Sequence, residues 1–420
     1  MRRDGRDDAP AAATDAEDID PSRRLRIALV YDALYPYRAG GAERRYHEIA
    51  VRLAMRHEVH LVGWRFWTGT APRSPGGPVL HGLGPAPAFY GRDGRRTIRE
   101  AAAFAARLVP HLLRERYDVI DCSATPYVPV YACALAARLS GTPLVVTWHE
   151  YWGDYWRTYL ADRPVVARLA RAAEAHCRGL GQIAVAVSPF TATLLMHDGA
   201  GPSPAVVPNG VPIAEIDAAP PAAGRIDVLF VGRLIADKKI DDLLAAVARL
   251  RQDRPHLRCA IIGEGPELGR LEAMAVDLGL QGVVSFFGRL EGVDVFAAMK
   301  AADVLVLPSL REGYGISVVE AMAAGAVPVV VRGPQSAASA LIEDGRTGVV
   351  SDPGPSALAA AIGRLLDDPA GRSRMREAAR ASALEHDWDR TAIGLERLYR
   401  SVTRGSRQSA TGAASIHADA

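Results

Sequence analysis

A chain of 420 residues is long enough for two or three domains, each with its own core. An apolar fraction of 49% with 23% charged residues is the composition of a soluble globular protein, and a net charge of +2 argues against a dedicated nucleic-acid binder. No window approaches the roughly 18 uncharged apolar residues of a membrane span. Residues 1–24 are polar and non-periodic, lack the apolar stretch of a signal peptide, and are expected to be a disordered tail. The first strand is Leu25 to Tyr31, and further strands are expected at 58–63, 119–123, 143–148 and 184–188. Helices are expected between them near 42–55, 95–116, 127–139, 164–178 and 190–197. Such alternation predicts βαβ units, a parallel sheet and an α/β domain over 25–211. The Pro- and Ala-rich stretch 212–224 interrupts the pattern as a linker. A second domain over 225–387 follows, with strands at 226–231, 257–262, 283–287, 303–307 and 327–331. Its helices are expected near 240–251, 266–278, 293–300, 316–324 and 355–366. An amphipathic helix over 388–405 and a disordered tail over 406–420 complete the chain. The four cysteines, Cys122, Cys133, Cys177 and Cys259, are scattered within regular elements and fit the free thiols of a reducing cytoplasm.

The richest chemistry lies in Arg311-Glu-Gly-Tyr-Gly-Ile-Ser-Val-Val-Glu320, which joins a buried strand to a helix. Gly313 and Gly315 permit a tight turn and leave backbone N–H groups bare at the helix start, a ready anion site. Glu312 stands at its mouth and Glu320 further along the helix. The pattern suits a phosphorylated, hydroxyl-rich ligand such as a nucleotide sugar. The plainer alternative is an ordinary helix with a surface glutamate.

Five other segments carry candidate chemistry. Gly40-Gly41-Ala-Glu-Arg44 opens a helix and lets backbone approach a ligand, but it is not the dinucleotide fingerprint, which disfavours a nicotinamide oxidoreductase. Val231-Gly-Arg-Leu-Ile-Ala-Asp-Lys-Lys239 carries two of the three lysines in an arginine-dominated chain. Arg233 and Lys238 would converge on one oxyanion, the first as a fork and the second as a point charge. Thr147-Trp-His-Glu150 projects His149 from a strand end, where a lone histidine is otherwise most often structural. In Ile262-Gly-Glu-Gly-Pro266, Gly263 is a candidate for lining a nucleotide pocket. Asn209 of Val207-Pro-Asn-Gly-Val211 could reach phosphate, although that loop reads better as a domain-closing element.

The spacing of Glu312 and Glu320 resembles the E-x7-E signature of retaining GT-B glycosyltransferases, and the resemblance runs over roughly 25–400. It implies two facing Rossmann-like domains with parallel sheets, an interdomain cleft, and a last helix that returns to the first domain. It further implies transfer of a sugar from a nucleotide diphosphate sugar, of GDP-mannose or UDP-hexose type, to a glycan, lipid-linked or small-molecule acceptor. His149, Glu312, Arg233 and Lys238 then form the reaction centre. The donor contacts would be Gly40, Gly41, Arg233, Lys238, Gly263, Glu312, Gly313, Tyr314, Gly315, Ile316 and Glu320, with Glu320 on the ribose. Neither a cofactor nor a metal is expected: Asp387-Trp-Asp389 has D-x-D spacing but reads as a helix N-cap. Lys239 stands where the family places glycine, and Arg332-Gly-Pro-Gln-Ser336 departs from the usual Gly-Gly turn. An epimerase of the same architecture and a non-catalytic nucleotide-sugar binder are the alternatives.

Two surface features carry open readings. The basic amphipathic stretch 92–116 reads first as a domain helix with an arginine-rich solvent face, and second as a peripheral contact with an anionic membrane. Trp64, Trp67, Trp152, Tyr155, Trp156 and Tyr159 could stack on acceptor sugars or simply pack.

Overall fold

The computed structural model describes residues 23–38, 40–91, 96–197, 203–290 and 292–416, with side chains as far as Arg404. Seven strands build the first sheet: β1 (Arg26–Val30), β2 (Glu58–Arg65), β3 (Val79–Pro85), β4 (Val119–Ser123), β5 (Leu144–Trp148), β6 (Ile183–Ala186) and β7 (Ala205–Val206). All pairings are parallel, in the order β3-β2-β1-β4-β5-β6-β7. The second sheet is built from β8 (Ile226–Val231), β9 (Cys259–Ile262), β10 (Val284–Phe286) and β11 (Ala302–Leu307). After β12 (Arg311–Glu312) come β13 (Val327–Val331), β14 (Gln335–Ser336) and β15 (Val349–Ser351). Its order is β10-β9-β8-β11-β13-β15, again parallel, while β12 and β14 pair separately as a two-stranded ribbon.

Both sheets reverse strand order beside their first strand, between β1 and β4 and between β8 and β11. Loops at the carboxyl ends of strands around such a point form the crevice where open α/β sheets bind ligands. The Gly40–Arg44, Val231–Lys239 and Arg311–Glu320 segments follow β1, β8 and β11, and the 147–150 and 262–266 turns follow the carboxyl ends of the nearby strands β5 and β9. The central strands are buried on both faces (β4, β5 and β13 throughout), which is why they read as apolar runs.

The last helix, Trp388–Ile416, covers one face of the first sheet: Ala392, Leu395, Tyr399 and Val402 join the apolar cluster of Ile27, Leu29 and Val145. It also contributes a buried polar bond. Tyr399 donates to Asp121 Oδ2 (2.5 Å), while Tyr46 and Thr147 donate to Oδ1 (3.0 and 2.8 Å). Burial pushes the Asp121 carboxyl up, and these donors and the Arg45 guanidinium oppose that shift.

The structure departs from expectation in several elements. The stretch 212–224 holds a short helix, Ile213–Ala218, because Ile216 is fully buried despite the Pro/Ala surroundings. Strands β3, β7 and β15, the β12–β14 ribbon and helices Tyr155–Tyr159 and Pro369–Ala383 were not anticipated. Helix Trp388–Ile416 runs beyond 405. Of the N-terminal tail only residues 23 and 24 are described: Arg23 pairs with Asp118 (2.6 Å) and Arg24 donates to the His57 carbonyl (3.3 Å), so both belong to the first domain.

Candidate functional site

The two domains meet where their strand-end loops face each other. Helix Gly41–Ala54 begins after β1 and helix Ile316–Ala324 after β12, and a Cβ on Gly41 would lie 3.1 Å from Ile316 Cδ1. Two helix N-termini, each equivalent to about half a positive charge, are thereby brought together. Carboxylates stand at both. The Glu43 side chain folds back over Gly40, reaching within 2.4 Å of where a Cβ on that residue would sit. Burial pushes its carboxyl up, and the nearby charges of Arg233 and Arg96 oppose this. Glu312 pairs with Lys238. Lys238 therefore faces Glu312, and Arg233 lies within reach of the Glu43 charge, so cations and carboxylates of the site meet.

Gly313 packs its backbone directly against the other half. A Cβ there would sit 2.0 Å from the His149 carbonyl oxygen. The Gly313 carbonyl accepts from Ser188 Oγ (3.0 Å) and Thr191 Oγ1 (3.3 Å) of the first domain. His149 is thus held against the turn that carries Glu312. Its Nε2 is buried and has no hydrogen-bond partner, and burial, aided by the Arg45 charge, pulls the imidazole down to about 3. A neutral ring with an unfilled polar atom can donate to or accept from a sugar hydroxyl, but it carries no positive charge at neutral pH.

In the second domain the turn after β8 rests on the turn after β9. A Cβ on Gly263, where φ is +147°, would lie 1.8 Å from the Gly232 carbonyl oxygen. Leu234 N–H donates to the Glu264 carbonyl (2.8 Å). Gly263 therefore buttresses the Arg233–Lys238 element. Lys239 takes up the left-handed conformation (φ 52°, ψ 40°) and caps the next helix. The family's glycine at this position is explained by that backbone, and the lysine keeps the turn at a conformational cost. Lys239→Gly should raise stability by roughly 0.5–1 kcal/mol, read as a higher urea midpoint at unchanged slope. An unchanged or lower midpoint would contradict the strained-turn reading.

Several candidate side chains already have partners within the protein. The Tyr314 side chain is buried and donates to the Asn209 carbonyl (2.9 Å), with His386 Nδ1 2.8 Å away, so its ring braces the crossing between the domains. The Asn209 Oδ1 accepts from the buried Arg45 (2.8 Å), which also donates to the Pro208 and Val207 carbonyls (both 3.0 Å). Glu320 is buried and faces Arg44, whose charge opposes the upward shift that burial imposes on the carboxyl. The aromatic candidates are occupied too. Trp64 is core and donates to Glu100 (2.6 Å); Trp152 has Trp156 stacked on it at 4.4 Å and Arg311 at 3.9 Å. Asp387 Oδ1 accepts from Asp389 N–H (2.7 Å) at the start of the last helix, a capping interaction.

The basic helix spans Ile98–Glu115 and buries Phe104, Leu108 and Leu112 in the first domain, so its apolar face is already used; residues 92–95 lie outside the described part. No helix of the described residues is long and apolar enough to cross a membrane. Sequence reasoning overlooked Glu43, Arg44 and Arg311. The partners Glu150 of Arg311 (2.6 Å) and Glu215 of Arg44 (3.4 Å) lie far along the chain, so local spacing does not reveal them, although Arg44 also pairs with Glu48 one turn on (3.3 Å).

Remote from the cleft, His60, His81 and His111 form a chain: His60 Nδ1 lies 2.7 Å from His81 Nε2, and the His81 and His111 rings are 4.7 Å apart. Burial, and for His81 the neighbouring histidines as well, pulls His81 and His111 down to about 4. The unfolded chain takes up protons near 6.5 while the fold resists until about 4. Their stabilising contribution is therefore complete above 6.5 and is lost as the pH falls toward 4. The buried His111 alone is expected to cost on the order of 1 kcal/mol per pH unit across that window. Tm should fall from pH 7.5 to pH 5, and more steeply than in His111→Phe; parallel profiles for the two proteins would contradict this.

Two family models divide the chain between them: "Glycosyltransferase Family 4" matches residues 39–215 and "Glycosyl transferases group 1" matches residues 213–382. The D-inositol 3-phosphate glycosyltransferase of Streptomyces scabiei is 30% identical over 405 residues, covering 88% of this chain and 88% of the relative. This chain belongs to glycosyltransferase family 4. Glycogen synthase of Mycobacterium tuberculosis is 36% identical over 207 residues, so the chain spans about half the length of that relative (50%). Among solved structures, sucrose-phosphate synthase from Thermosynechococcus elongatus superposes with a TM-score of 0.76 at 20% identity, over 91% of this chain and 100% of that one. Anabaena HepE in complex with UDP and glucose gives 0.70 at 20% identity, over 90% and 100%. These likenesses show the GT-B fold of the family 4 enzymes, two parallel-sheet domains facing across a cleft.

Proposed function

We propose that this family 4 chain transfers a sugar from a nucleoside diphosphate sugar, of UDP-hexose or GDP-mannose type, to an acceptor hydroxyl with retention of configuration. The Lys238–Glu312 pair between two facing helix N-termini carries the reading. A diphosphate entering there would displace Glu312 from Lys238 and meet Arg233, Lys238 and bare backbone N–H groups together. As the sugar–phosphate bond breaks, negative charge grows on the leaving diphosphate, and fixed cations stabilise it in the transition state. Glu312, freed from Lys238, and the neutral His149 would hold sugar hydroxyls, and Glu320 the ribose. The departing phosphate oxygen can itself take the acceptor's proton, so neither side chain need act as a base. The UDP-glucose complex of HepE supports a nucleotide-sugar donor, and the D-inositol 3-phosphate glycosyltransferase and phosphatidyl-myo-inositol mannosyltransferase among the relatives support sugar transfer to an acceptor.

A thermal-shift series with UDP-, GDP- and ADP-sugars, followed by NMR of the product's anomeric centre, tests this. One donor should raise Tm and yield a retained anomer in the presence of an acceptor alcohol. Absence of any shift and of any nucleoside diphosphate release would overturn it.

A further inference from the structure

We infer that Arg311 is a positioning residue that sets the distance between the two halves of the reaction centre, a role that rests on the transferase reading above. The guanidinium is largely buried, with 12% of the side chain exposed. It lies 3.9 Å from the Trp152 ring centroid and 4.8 Å from that of Tyr155. Its Nη2 pairs with Glu150 Oε2 (2.6 Å) and its Nη1 approaches Asp237 Oδ2 (3.5 Å). The partners are tied to one another: Trp152 Nε1 donates to Glu150 Oε1 (2.6 Å) and Tyr155 OH to Asp237 Oδ1 (2.7 Å). Behind them, the Glu174 carboxylate accepts from Tyr127 OH (2.6 Å) and from the N–H groups of Trp152 and Gly153 (both 2.8 Å). The loop carrying the aromatic rings is thereby fixed to the first domain.

The chain positions make this cluster more than an interdomain contact. Glu150 follows His149, Asp237 precedes Lys238, and Arg311 precedes Glu312. One guanidinium thus grips the immediate neighbour of each of two site residues from two other loops, while its own neighbour is a third. A planar fork stacked on an aromatic face has one preferred orientation, which a flexible ammonium does not reproduce. Movement at Arg311 is passed through single peptide units to His149, Lys238 and Glu312. The arrangement also explains why Trp152 is no sugar platform: Arg311 and Trp156 both pack on its ring.

The test uses the full chain with the donor that wild type turns over, measuring kcat for nucleoside diphosphate release alongside Kd for the nucleoside diphosphate. Arg311→Ala should lower kcat by about 100-fold, as expected for a reaction centre displaced by around an ångström, with Kd near the wild-type value. Arg311→Lys should recover only part of the loss, and Glu150→Gln should show a smaller loss in the same direction. Trp emission of ligand-free Arg311→Ala should shift as the cation leaves Trp152. Should Arg311→Ala fold poorly, the lysine and Glu150→Gln variants carry the comparison. Wild-type kcat in Arg311→Ala or Arg311→Lys, or an equal loss of kcat and of affinity, would overturn the inference while leaving the transferase reading intact. A wild-type protein that turns over no nucleotide sugar would defeat that reading, and the inference with it.

Discussion

Lys238→Ala is expected to reduce sugar transfer by roughly 100- to 1,000-fold at saturating donor, the loss typical when one preorganised charge facing a developing anion is removed. The reason lies in position. Lys238 is the side chain that Glu312 holds, with only 16% of it exposed, and it stands beside two opposed helix N-termini. Its removal leaves the Glu312 carboxylate, 12% exposed, without its cation. A stability loss of about 1–3 kcal/mol is the expected side effect, small enough for the protein to remain folded. Circular dichroism with a nucleoside diphosphate release assay separates the two effects. Glu312→Gln should also lose transfer while staying folded. Near-wild-type turnover in either variant would refute the assignment.

Gly313→Ala is expected to be nearly as damaging for a different reason. The added methyl would sit 2.0 Å from the His149 carbonyl oxygen and 3.1 Å from Glu150 Cβ, so backbone meets backbone and no flexible side chain can yield. One loop must retreat by around an ångström, and the Ser188 and Thr191 bonds to the Gly313 carbonyl lengthen with it. A displacement of that size at a reaction centre costs on the order of 100-fold in rate. The apolar clusters of the two domains do not include Gly313, so each should stay folded. Turnover measured beside small-angle scattering should show a slow and slightly expanded enzyme. Full activity with unchanged dimensions would mean that the contact between the halves is irrelevant to the chemistry.

Legibility in the sequence followed the range of the forces involved. Buried parallel strands announced themselves as apolar runs, so β4, β8 and β13 begin and end where the pattern did. The short turn chemistry around Arg233, Lys238, Glu312 and Gly313 was equally local and could be read directly. Strand β3 escaped because Val-Leu-His-Gly-Leu-Gly-Pro lies at a half-exposed sheet edge and carries two glycines, leaving no apolar run. The helix Ile213–Ala218 escaped because one buried isoleucine in a Pro/Ala stretch makes no periodicity. Arg311 was opaque for a stronger reason. Its carboxylate partner Glu150 lies 161 residues away, and only the approach of two separately folded sheets brings them together. The Tyr314 hydroxyl was opaque for the same reason: its partners Asn209 and His386 lie 105 and 72 residues away.

A crystal structure of the full chain with the nucleoside diphosphate of its preferred donor tests the central claim most directly. The account predicts a phosphate oxygen within hydrogen-bond distance of both Arg233 and Lys238, with the Lys238–Glu312 pair opened and Glu312 turned toward the sugar position. A diphosphate bound elsewhere, or one that leaves that pair closed, would contradict it.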